Sequence, residues 1–146
     1  MANRTALLLA ALATDLATIR TTNGYRTNLG AAVGTDDVQQ PQASAPRVTL
    51  RVDEMLVQDI ATSIRQRTYR ISIEAHLPAS FGDGTENAHD ALEDLLDRFP
   101  ALRQYALEAG AQADVRFAAG RVLPDAAGIA VSVAQVVLDA LLKETL

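Results

Sequence analysis

Catalysis in this sequence would need a nucleophile beside a base, a pair of carboxylates in unlike surroundings, or a cluster of metal ligands. Histidine occurs twice, as His76 and His89. His76 falls two residues after Glu74, so in a strand the two share a face. Two ligands make an incomplete metal site, and no third follows at a suitable spacing. His89 falls near the start of an acidic helical stretch. Ser80 and Ser132 lack the glycine flanks of a nucleophile elbow. Gly24, Gly30 and Gly34 lack the Lys-Ser/Thr ending or following helix of a phosphate-binding loop. Aromatic–basic pairs occur at Tyr25-Arg26 and Tyr69-Arg70, too sparse for a stacking platform on nucleic acid. The residues therefore point away from an enzyme, a metal or a cofactor.

The elements that would position these residues belong to one domain of 146 residues, long enough to bury a core unaided. The apolar fraction is 49% but aromatics make up 4%, so the core must be aliphatic. Cysteine is absent, which excludes disulfides and thiolate metal sites. The net charge of −5 disfavours a dedicated DNA-binding surface, although an acidic chain can let DNA pass. The apolar run at Leu7–Ala13 is short, lacks a cleavage site and continues into Asp15 and Arg20, so it is read as helix and not as a signal peptide. No run approaches the ~20 apolar residues of a membrane span, and a soluble protein is expected.

Leu9, Leu12, Leu16 and Ile19 recur at helical spacing, with Leu8 beside them, and predict a helix over residues 4–21, capped by Asn3 or Thr5. Asp15 is placed off that stripe. Asn23-Gly24 is a stop, since both residues tolerate positive φ. From Tyr25 the period becomes two and predicts a strand over 25–33. The polar segment 34–46 reads as a long loop. Alternation at 47–54 and 66–77 predicts two antiparallel strands, with Arg47, Arg51, Asp53, Arg70 and Glu74 on a wet face. Residues 55–64 between them fit either a short helix or a continued hairpin. Asp83 and Glu86 have capping-box form, starting a helix that runs to Phe99. Its acids, Glu86, Asp90, Glu93, Asp94 and Asp97, are assigned to an exposed side. Residues 101–108 are predicted helical, 113–118 and 120–123 are strand pieces, and 129–138 is a β-branched strand with a helical alternative in its later part.

The stretch Asn23-Gly-Tyr-Arg-Thr-Asn-Leu-Gly30, preceded by a helix and followed by a variable loop and the strand Arg47–Val52, resembles the tail terminator (tail completion) proteins of long-tailed bacteriophages. The expected fold is α+β: a mainly antiparallel, or mixed, sheet of four to five strands with helices on one face, forming rings. The resemblance implies a structural virion protein that caps the tail tube, ends its polymerisation and offers the surface for head–tail joining. It implies a homo-oligomeric ring, a hexamer by analogy, at the head-proximal end of the tail and in host cytoplasm during assembly. Its partners would be the tail tube protein, a head-completion or connector protein, and genomic DNA passing without specific binding. The region-level interface candidates are Asp36, Asp37, Gln39 and Gln40 in the loop and Arg47, Arg51, Arg70 and Glu74 on the strands. The five helix acids are candidates for an acidic channel or solvent face. Another connector or minor tail protein is the nearest alternative, and a small ligand-binding or enzymatic domain the more distant one.

Overall fold

Strands run further along this chain than the sequence suggests, and their pairing is what assembles the fold. The computed structural model describes residues 3–35, 46–78, 84–99, 102–123 and 131–146. Helix α1 is Arg4–Leu16 and helix α2 is Gly84–Arg98; the strands are β1 Val33–Thr35, β2 Arg47–Ala61, β3 Ile64–Pro78, β4 Arg103–Glu108, β5 Ala111–Leu123 and β6 Val131–Thr145. They form one mixed α+β sheet in the order β1-β2-β3-β6-β5-β4. Only β1–β2 is parallel; the other pairings are antiparallel. Among the described residues the sheet thus has six strands, not four to five, because Arg103–Glu108 and Val33–Thr35 both join it.

Both helices cover the same face. Leu8, Leu12 and Leu16 of α1 and Ala88, Ala91 and Leu95 of α2 are buried with Ile71 and Ile73 of β3, Val136 and Leu138 of β6 and Val115 of β5. Asn3 caps α1, its side chain accepting from the Ala6 amide at 3.2 Å. The spacing of Ala88, Leu92, Leu95 and Phe99, with Ala91 and Leu96 beside them, predicts the apolar stripe of α2. Ala88, Ala91, Leu95 and Phe99 are buried and Leu92 partly so, but Leu96 is exposed. The helix start lies next to Asp83, which falls outside the described residues.

Five expectations are corrected. Helix α1 ends at Leu16, and 25–33 is not a strand but a run of turns with strand only from Val33. Its backbone donors are taken by side chains and turn carbonyls, leaving too few to build a ladder: the Arg26 and Thr27 amides go to Asp94, and the Gly30 amide goes to the Ile19 carbonyl. Gly30 sits so close to α1 that an added Cβ would lie 2.5 Å from the Ala17 carbonyl oxygen. Gly24 does act as a stop, at φ 91°, but it closes the turn at Thr21–Asn23 and not the helix itself. Segment 101–108 is strand β4 and not a helix: Arg103, Tyr105 and Leu107 are partly covered, while Gln104, Ala106 and Glu108 are exposed. The two pieces at 113–123 are one strand with a bulge between Phe117 and Ala119. Strand β6 continues to Thr145, well past Leu138, because it is central and paired on both sides. Residues 55–64, open between helix and hairpin, are hairpin, turning between Ala61 and Ile64.

Candidate functional site

Beyond Val52 the alternation of β2 fails: Met55, Leu56 and Val57 are consecutive apolar residues, so both faces of the strand are apolar. Such strands are ordinarily buried on both sides. Here they are not. Met55 is 45% exposed, Leu56 60%, Val57 52% and Ile60 48%. They lie on the outer half of the β2–β3 hairpin, where β2 has lost contact with β1, whose pairing stops at Thr35↔Leu50. Sequence reasoning marked no residue here; the signal that could have done so is the loss of alternation after Asp53.

The sheet face opposite the helices carries a polar chain. Ser72 bonds to Asp53, and Arg51 pairs with Asp53 at 2.9 Å and with Glu74 at 3.7 Å. Gln135 donates to Glu74 at 3.2 Å and accepts from Arg121 Nε at 2.7 Å. His76 stands 3.4 Å from Glu74. This face is less wet than alternation implies, since Ser72 and Gln135 are buried. Bulges at Val52/Glu54 in β2 and at Phe117/Ala119 in β5 lie level, joined through Ile71 and Leu138. Bulges bend a strand and increase its twist, and a cavity of about 340 Å³ opens here, lined by Asp53, Ser72, Gly120, Arg121, Gln135 and Val137. Its polar groups are engaged with one another. Among the described residues no three His, Asp or Glu side chains gather in a way that could hold a metal.

The structure brings together Arg51 and Glu74 among the predicted interface residues. Arg47 is half-buried at the far end of the hairpin pairing, opposite His76, and Arg70 is exposed near Asp139 at 3.7 Å. Asp36, Asp37, Gln39 and Gln40 lie outside the described residues, as does the side chain of Glu86.

The acidic side of α2 is not one surface. Glu93 is exposed, and Asp90 is half-buried. Asp94 is fully buried, which removes it from any channel or solvent face. It accepts from the amides of Arg26 and Thr27 at 3.0 and 2.8 Å and from the Thr27 hydroxyl at 2.6 Å. Arg26 spans Asp94 and Asp97 at 3.2 and 2.9 Å. Thus the residues that carry the resemblance, Arg26-Thr27, are clamped onto α2 by a carboxylate the sequence places far away.

Two further buried acids act alike. Asp15, read as lying off the apolar stripe, is buried and held by Arg98, Arg103 and Tyr105. Burial and then the bond to Asp15 push the Tyr105 hydroxyl well above its ordinary value. Glu144 of β6 receives Arg4 at 2.7 Å and Arg67 at 2.7 Å. Burial pushes the Glu144 carboxyl up, but the bonds from Arg4 and Arg67 outweigh it and hold the carboxyl below its ordinary value.

No protein-family model matches the sequence, and no curated protein matches it. A solved chain carrying no functional description is similar in fold, with TM-score 0.57 and 19% identity over 97% of this chain and 95% of that one. At that identity the likeness concerns the fold alone.

Proposed function

We propose that this chain is a ring-forming structural protein that caps a phage tail tube, halts its polymerisation and presents the surface to which a filled head is joined. The observation that supports the reading is the outer β2–β3 hairpin, whose Met55, Leu56, Val57 and Ile60 are exposed. An apolar strand exposed on both faces is an aggregation hazard unless a partner covers it. A cap must contact its own neighbours, the tube and the connector, and must refuse a further tube subunit. Arg51, Arg70 and Glu74 lie on the open sheet face, where such contacts would be made. The exposed Glu93 and Asp97, with the net negative charge, suit a surface that DNA passes without sticking.

The test is tail-tube polymerisation with and without this protein, read by electron microscopy. Tubes of defined length with an extra ring at one end are expected. Tubes of unchanged length with no bound ring would overturn the reading, and a ring found only on the connector side would assign the chain to head–tail joining instead.

A further inference from the structure

Among the described residues the sheet has a long open stretch on each edge, and the two are unlike. Among the described residues β2 has no second partner beyond Leu50, and β5 has none beyond Val115, where its pairing with β4 at Arg103 stops. Each open stretch runs for about 25 Å or more, at ~3.3 Å per residue. Natural sheets blunt such edges with Pro or Lys. Neither Arg51–Ala61 nor Arg116–Leu123 contains either residue; each carries charges and a bulge, at Val52/Glu54 and at Phe117/Ala119, yet stays open for several residues beyond it.

Their chemistry is complementary. The β2 edge is net acidic and bulky, with Asp53, Glu54 and Asp59 against Arg51 around Met55, Leu56 and Val57; Asp53 and Asp59 also pair within the chain, with Arg51 and Arg65. The β5 edge is basic and small, with Arg116 and Arg121 bracketing Ala118, Ala119 and Gly120. These five residues, Arg116 and Ala118 to Arg121, are all exposed. Ala118 and Ala119 are small enough for the bulky apolar side chains of β2 to lie over them, while the Cβ space at Gly120 is already taken by Leu92 and Phe117.

The geometry points to a joint between copies of this chain, in which the outer β2 edge of one subunit adds to the β5 edge of the next. Each copy keeps the other edge free, so the joint is head-to-tail and extends the sheet from subunit to subunit. Closure into a ring rests on the function proposed above; the joint itself rests on the two edges.

Charge exchange tests it by sedimentation. Reversing one edge with Glu54→Arg and Asp59→Arg, or the other with Arg116→Glu and Arg121→Glu, should each turn an oligomer into a folded monomer. An equimolar mixture of the two, or one chain carrying all four changes, should recover the oligomer. Loss of assembly in the first variant alone would overturn the joint in favour of β2 meeting another surface. Assembly unchanged in both would overturn it and leave the ring standing, and monomers that the mixture does not rescue would overturn it too. A wild-type chain that stays monomeric would overturn joint and ring together. Should a reversed chain fail to fold, amide exchange on the unsubstituted protein decides: protection of 54–61 and 116–122 that vanishes on dilution is expected, and protection elsewhere alone refutes the joint.

Discussion

The helix-covered face and the outer hairpin invert the usual arrangement of charge and grease. Under the helices, Asp94, Glu144 and Asp15 are buried, each tied to arginines from distant parts of the chain. On the hairpin, Leu56 and Val57 stand in solvent. A buried carboxylate is tolerated only when donors replace its water, so these three acids are joints of the monomer. Apolar side chains on an extended arm gain little from the monomer, and the function proposed above would have a partner cover them. The contrast teaches that residue class alone does not say which side chains are buried here; contacts do.

The comparison breaks most sharply at Asp94. Asp94→Ala would leave the Arg26 and Thr27 amides without their acceptor, and should destabilise the fold by about 3 kcal/mol, read by urea denaturation. An effect below about 0.5 kcal/mol, the size of an ordinary surface change, would show that the acid is a solvent-face residue after all. Gly30→Ala tests how the same turn segment is held against the end of α1. The added methyl meets backbone, not a yielding side chain, and a loss of about 1–3 kcal/mol is expected in the same assay.

Acid should weaken the Glu144 joint. Because the folded carboxyl titrates below its ordinary value, its contribution is complete above the ordinary carboxylate range and disappears as pH falls through the depressed one. Glu144→Gln should flatten that part of the stability–pH profile. At the other extreme, Tyr105 holds its proton more tightly when folded, so its contribution is full below pH about 10 and falls as pH rises further. Tyr105→Phe should remove that alkaline slope. The smallest effect is expected on the hairpin: Leu56→Ser should change monomer stability by no more than about 0.5 kcal/mol, while weakening assembly seen by sedimentation. A large loss of monomer stability would place Leu56 in the core.

Much of this architecture is legible in the chain. The stripe Leu9, Leu12 and Leu16 with Leu8 beside it marks α1, though Leu8 and not Leu9 is the fully buried one. Ala88, Leu92 and Leu95 mark α2, and the alternation at 47–54 and 66–77 marks two strands, because amphipathic period follows directly from backbone geometry. The stop at Gly24 is local too, since positive φ is a property of one residue. Other features depend on neighbours that sequence does not place. Tyr25–Ala31 has strand period yet folds as turns, because Asp94 and the α1 end capture its donors. Residues 103–108 become a strand because β5 offers them an edge and Asp15 draws Arg103 and Tyr105 to one side. Whether an aspartate faces water or two backbone amides, and whether a leucine meets the core or projects beyond it, is set by contacts between residues far apart in sequence, and only the tertiary structure decides those.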